Sequence, residues 1–190
     1  FSVALDLEKF TQEIRLASPS NDRFEWLIGA FYTKEESENH QLVRTFDFSG
    51  APNALDPGAV VSLPSTFKEM AVFANATAYF GDMFALSGGV RYAKNKQNFQ
   101  QISSGPFIGV ANFTGKSDED VFIYSVSPQF HISKDAMLYA RVANGYRPGG
   151  PNVVFPGVPP QVKADTLANY EVGFKGNLGR ALSVELAGFY

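Results

Sequence analysis

The sequence predicts an all-β chain: an antiparallel up-and-down transmembrane β-barrel segment of about eight strands. Three observations predict it. Apolar and polar residues alternate with period two in one segment after another. The connections alternate between short and long, so every short turn falls on one rim and every long loop on the other. Aromatic residues make up 14% of the 190 residues, with 18 Phe and 8 Tyr but only one Trp, and they bracket the strand ends.

Each element follows in chain order. Near the start, Ile14 and Leu16 oppose Thr11, Glu13 and Arg15, and a short polar turn follows at 18–23. Residues 24–32 are apolar on both faces, with Trp26, Ile28 and Tyr32 against Leu27 and Phe31. A long loop is expected from Thr33 to about Thr66. In 67–79, Phe73, Thr77 and Tyr79 oppose Val72, Ala74, Ala76 and Ala78, and a short turn occupies 81–83. The cleanest strand is 84–92, where Phe84, Leu86, Gly88, Val90 and Tyr92 share one face and Ala85, Ser87, Gly89 and Arg91 the other. A second long loop runs from Lys94 to about Glu119. Phe122, Tyr124, Val126 and Phe130 then oppose Ile123, Ser125, Ser127 and Gln129, with a short turn at 131–136. In 137–146, Leu138, Ala140 and Val142 oppose Arg141, and the third long loop spans Arg147 to about Lys163. Ala168, Tyr170, Val172 and Phe174 oppose Asn169, Glu171, Gly173 and Lys175 before the short turn at 176–179. Leu182, Val184, Leu186 and Tyr190 oppose Ser183, Glu185 and Ala187 in the last strand.

Soluble sandwiches alternate too, but their strands are typically shorter and seldom keep one rim so tight. Aromatic spacing favours the membrane. Phe84 and Tyr92 lie eight residues apart, roughly 26 Å along a strand. Tilted by about 40°, that is roughly 20 Å of height, near the apolar band between the aromatic girdles of a barrel. No apolar run approaches the length of a membrane helix, and the opening residues do not read as a signal peptide. The net charge of −3, without a basic surplus, gives no reason to expect a nucleic-acid partner. The absence of cysteine excludes disulfides, zinc–thiolate sites and thiol catalysis.

No enzyme is expected. His40 falls in a loop and His131 in a turn at the opposite rim, which argues against a shared metal or catalytic dyad. No phosphate loop, nucleophile elbow or HExxH motif is present, and neither cofactor nor metal is expected. Two acidic runs, Glu35–Glu36–Glu38 and Asp118–Glu119–Asp120, read as solvated loop charges. Mid-strand Glu13, Arg15, Arg91, Glu171, Lys175 and Glu185 lie opposite the apolar faces, and in a barrel they line a wet lumen. They are candidates for facing a plug or for satisfying one another across strands. Ligand recognition is expected in the long loops, carried by a rigid scaffold. The candidates are Tyr146, Arg147, Phe107, Phe113 and Phe155, with Phe46 and Phe48 beside them. Aromatic faces suit planar ligands and Arg147 an anionic one.

Five strings, taken in order, resemble barrel segments of TonB-dependent outer-membrane receptors: FTQEIRLAS (10–18), WLIGAFYTKEE (26–36), LSGGVRYAKNK (86–96), LYARVANGYRPGGPN (138–152), and NYEVGFKGNL with LSVELAGFY (169–190). The resemblance covers the strands of nearly the whole chain, and the long loops match nothing of that kind. It implies a 22-stranded barrel with short periplasmic turns and long extracellular loops, closed by an N-terminal plug. It also implies location in the bacterial outer membrane, contact with its lipid, and uptake of siderophore–iron or another scarce nutrient energised through the TonB complex. At about 24 residues per strand, 22 strands need roughly 520 residues. The 190 residues are therefore expected to be an internal part of one barrel domain, without the plug, the TonB-contacting N-terminal region or the C-terminal strands. Two other readings stay open at this point: a passive outer-membrane porin, and a soluble all-β carbohydrate-binding module.

Overall fold

A computed structural model of the chain describes residues 1–21, 23–152, 157–159, 161–179 and 182–190. The described residues form strands β1 (Ser2–Ala17), β2 (Phe24–Val43), β3 (Ala59–Phe80), β4 (Phe84–Ser104), β5 (Ala111–Ser133), β6 (Ala136–Arg147), β7 (Gly150–Pro151), β8 (Gln161–Val162), β9 (Asp165–Leu178) and β10 (Leu182–Phe189). Eight of them make one antiparallel sheet in the order β1-β2-β3-β4-β5-β6-β9-β10, and β7 pairs with β8 separately. Apart from the β7–β8 excursion this is an up-and-down meander, as the alternation of connection lengths predicts. The sheet is open, with β1 and β10 at its edges.

Register decides which side chains share a face. Directly paired residues of an antiparallel ladder point to the same side, so a face propagates from strand to strand. One cross-strand row holds Trp26, Ala76, Gly88, Val126, Val142 and Tyr170. A row nearer the short turns holds Phe80, Phe84, Phe130, Leu138, Phe174 and Leu186. Even-numbered residues thus face one side through the paired rows of all eight strands, and odd-numbered residues face the other. The even face is apolar and open: Ile14 is 76% exposed and Val172 64%. A soluble chain does not leave so wide an apolar surface bare, whereas a barrel wall presents it to lipid.

The even face changes character at one level across five strands. Phe10, Tyr32, Met70, Tyr92 and Phe122 end the apolar band. The next residues outward on the even face of β2 to β5 are Lys34, Lys68, Lys94 and Asp120. Strands continue well past this level, and here the structure departs from the sequence expectation. The first two stretches expected as long loops are largely paired strand: β2 runs to Val43, β3 starts at Ala59, β4 reaches Ser104 and β5 starts at Ala111. Those loops shrink to 44–58 and 105–110, whereas the third connection, between Arg147 and Asp165, is as long as expected and contains β7 and β8. His40 and His131 accordingly lie in strands, as do both acidic runs. The physical reason is that a ladder above the lipid needs no apolar face. Its side chains pair with one another, as Lys9 does with Glu35 (2.5 Å) and Ser37 with Ser65 (2.8 Å), and such segments carry no hydrophobic period.

The odd face is crowded. Among the described residues, every well-buried apolar residue of the paired strands, Ala59, Ala71, Ala85, Ala93, Val121 and Ala143, is odd-numbered. Ala71, Ala93 and Val121 sit in one row with Phe31, Ile123 and Tyr146 packed against them. Small residues here leave room for long side chains to reach over them.

Candidate ligand vestibule

The charged residues predicted to line the lumen all lie on the odd face, and they engage one another. Glu13 pairs with Arg15 two residues along the same strand. Arg91 pairs with Glu69, and its guanidinium carbon lies 5.0 Å from the Phe31 ring centroid and 5.9 Å from that of Phe73. The Tyr139 hydroxyl donates to Glu171 (2.5 Å), while Lys175 pairs with Glu185 and lies 5.6 Å from the Tyr139 ring. Gly173 makes this possible, because a Cβ there would lie 2.5 Å from the Tyr139 ring. Glu69 and Tyr139 complete these sets and had no sequence signal beyond their place in the alternation.

Above the apolar band the polarity of the wall inverts. The even face turns charged, and the odd face acquires Leu5, Leu7, Leu63, Phe67, Phe99 and Phe113. Phe113, predicted as a loop residue, is therefore part of the β5 wall on the odd face. Leu7, Glu35, Ser37, Ser65, Phe67 and Gln97 line an open recess of about 390 Å³, closed on one side by Pro148 and Gly149.

Pro148 and Gly149 get there because β6 leaves β5 early. Regular β5–β6 pairing toward this rim ends at Ser125 and Ala143. The Asn144 side chain then takes over the ladder, accepting from the Tyr124 amide (2.6 Å) and donating to the Phe122 carbonyl (2.8 Å). An amide side chain carries one acceptor and one donor group, which is what two vacated backbone positions need. The end of β6 is thereby free to bend over the lumen. Tyr146, even-numbered, breaks the face rule for this reason: its ring packs on the odd-face row. Its hydroxyl donates to Glu119 Oε2 (2.7 Å) and accepts from Asn95 Nδ2 (3.1 Å). Glu119 Oε2 also accepts from the Gly149 amide (3.1 Å). Gly149 is required at this close approach, since a Cβ would lie 2.3 Å from the Val162 carbonyl oxygen and 2.7 Å from Glu119 Oε1. Tyr146, Glu119 and Asn95 thus latch the segment after β6 across the luminal side of β5 and β4. Glu119 was expected as a solvated loop charge, yet alternation carried upstream from Phe122 places it inward, while Asp118 and Asp120 point outward.

The other loop candidates sit elsewhere. Arg147 pairs with Asp165 across the β6–β9 ladder. The Phe107 amide donates to the Gly58 carbonyl (3.0 Å) and its ring lies against Gly58, so loop 105–110 clasps loop 44–58. Within loop 44–58, Arg44 grips both Asp56 carboxylate oxygens (2.8 and 2.9 Å), and Asp56 accepts from the Thr45 amide (3.0 Å). The Arg44 guanidinium and the Thr45 amide hold the Asp56 carboxyl below the usual range. Arg44 lies 5.7 Å from the Phe46 ring, and Phe48 is fully exposed. Phe155 lies outside the described residues.

Residues 5–190 match the family model described as TonB dependent receptor-like, beta-barrel. The pesticin receptor of Yersinia pestis is 29% identical over 168 residues, covering 85% of this chain and 23% of the relative. The chain thus spans about a quarter of the length of that protein. The ferric yersiniabactin uptake receptor FyuA from Yersinia pestis superposes with a TM-score of 0.84 at 23% identity, over 98% of this chain and 28% of that one. The siderophore receptor PiuA from Acinetobacter baumannii gives 0.78 at 15% identity, over 98% and 32%. These two likenesses establish the shared barrel fold, and the family match extends along nearly the entire chain. With its apolar even face, charge-bearing odd face and up-and-down meander, the chain belongs to the TonB-dependent receptor-like β-barrel family.

Proposed function

We propose that the chain is part of the barrel wall of a bacterial outer-membrane transporter that takes up siderophore–iron or a similar scarce nutrient, energised through TonB. The observation that carries this reading is the family match over residues 5–190, and relatives named as a ferric yersiniabactin uptake receptor and a siderophore receptor support the cargo class. The even face meets lipid. The odd-face charges Glu13, Arg15, Arg91, Glu171, Lys175 and Glu185 surround a plug supplied by the rest of the protein, whose remaining strands close the barrel. The N-terminal region of the complete protein makes the TonB contact. Cargo enters at the vestibule, where Phe67 offers an apolar face beside Glu35 and Gln97, with Phe99 and Phe113 farther out on the same odd face. Three phenylalanine rings and a neighbouring carboxylate favour a chelate with planar or heterocyclic parts over a bare anion.

The test is uptake of radiolabelled iron by iron-starved cells that express the complete protein, supplied with a panel of ferric siderophores. Uptake of one chelate that disappears in a strain lacking TonB is the expected result. Uptake that persists without TonB would mean a passive porin. A protein recovered in the soluble fraction without detergent would mean a soluble carbohydrate-binding module, and the membrane reading would fail.

A further inference from the structure

Above the apolar band, charge divides unevenly between the two faces of the wall. The even face carries it on every strand from β1 to β5. Lys34, Lys68 and Lys96 stand in one row, Glu36 and Asp118 pair with its flanks, and Glu8 and Lys116 lie farther out. The odd face of the same strands is nearly free of charge. From the level of Lys9 and Glu35 outward, that pair (2.5 Å) is all it holds among the described residues. On β6 and β9, Arg147 is already matched by Asp165, so the cation expected to meet an anionic ligand is neutralised within the wall. Residues 148–152, which cross the lumen beside the recess, carry no charge. Just below them, Glu119 is held by the Tyr146 hydroxyl and the Gly149 amide, with no cationic partner among the described residues. The arc that cargo meets thus offers Leu, Phe, hydroxyl and amide groups, one unmatched carboxylate and no unmatched cation.

We infer that this arc selects a ferric chelate of no net charge and disfavours polyanionic ones. The inference rests on the transporter reading above and narrows its cargo. Charge balance separates the two classes of chelate. Three singly deprotonated hydroxamates cancel the charge of iron(III), whereas three doubly deprotonated catecholates leave a trianion. A trianion entering a recess lined by Leu7 and Phe67 and closed by Pro148 gives up hydration and meets no cation in return. The Glu119 carboxylate beneath repels it further. A neutral chelate loses less hydration on entry and gains the apolar contact.

The test uses the complete receptor in neutral detergent and follows binding of ferric chelates by quenching of tryptophan fluorescence. The panel holds tricatecholate chelates and trihydroxamate chelates, the latter with and without pendent carboxylates. Wild-type protein should bind a neutral chelate most tightly and lose about tenfold in affinity when pendent carboxylates are added. Gln97→Lys places a lone cation in the recess, and Glu35→Gln leaves Lys9 unmatched. Each should shift the ratio of anionic to neutral binding toward the anion by about tenfold, an effect that added salt diminishes. Lys68→Gln, on the outward face, should leave the ratio unchanged. The inference is overturned, with the transporter reading intact, if the trianionic chelate binds most tightly or if pendent carboxylates leave affinity unaltered. It is also overturned if both folded charge variants keep the wild-type ratio. Failure of every chelate to bind would overturn it together with the transporter reading.

Discussion

Replacing Val126 by Arg tests the assignment of the two faces at its most sensitive point. Val126 lies in the row of Gly88 and Val142, four residues from Phe122 and four from Phe130 on the same strand. At about 3.3 Å per residue and a tilt of about 40°, each flanking aromatic is roughly 10 Å away in height. That is farther than an arginine side chain comfortably reaches, so snorkelling to either headgroup region is incomplete. An arginine at the midplane of a barrel's lipid face costs about 2–4 kcal/mol, or roughly a 30- to 800-fold loss in the folding equilibrium. Ser125→Arg, one residue away on the odd face, places the same charge in the wet lumen and should cost less than about 1 kcal/mol. Met70→Arg, beside the lysine level, should fall between them at about 0–1 kcal/mol. The assay is refolding of the complete receptor into lipid vesicles at graded urea, with the folded fraction read from the heat-dependent mobility of intact barrels. Equal costs for Val126→Arg and Ser125→Arg would refute the assignment of even residues to lipid, and a larger cost at Ser125 would reverse it.

Three more outcomes are expected. Tyr146→Phe removes the hydroxyl between Asn95 and Glu119, leaving Glu119 to hold Gly149 alone; hydrogen exchange at the Gly149 amide should rise by an amount that corresponds to about 1–3 kcal/mol, with exchange in β4 unchanged. Because Arg44 and the Thr45 amide lower the folded pKa of Asp56, its contribution to the loop is complete above the ordinary carboxylate pKa and is lost as pH falls through the lowered value. Thr45 amide protection should accordingly persist at mildly acidic pH and disappear only in stronger acid, and Arg44→Gln should move that loss to higher pH. Gly173→Val drives a side chain into the Tyr139 ring; it should break the Tyr139–Glu171 hydrogen bond and cost about 1–3 kcal/mol, measured in the same urea assay, whereas Gly188→Ala, with open space at its Cβ, should be neutral.

The meander was legible because lipid and lumen impose a period of two on every span. A residue such as Val90 or Arg91 has only one side on which it is tolerated, so Phe84 to Tyr92 and Leu182 to Tyr190 announced themselves. The upper wall was hidden for the complementary reason. Water accepts either face, so residues 94–104 and 111–121 pair as strands with no hydrophobic rhythm to betray them, and they read as loops. Of the candidate site, the lumen charges were visible as exceptions to apolar faces. Their partners Glu69 and Tyr139 were not, because the pairing depends on which positions of neighbouring strands come level. Glu119 passed as one acid among three, although its neighbours face the other way.

Local chemistry along the chain therefore determined the fold class, a meander of about eight strands and the alternation of faces within its cleaner spans, since solvent preference acts on each residue separately. Tertiary structure alone decided the relations between strands. It brought Lys34, Lys68 and Lys96 level, and set Tyr146 between Asn95 and Glu119. It also carried the end of β6 over the lumen once Asn144 had taken the place of the ladder. Those features depend on register, and register is a property of pairs of strands that no single stretch of sequence contains.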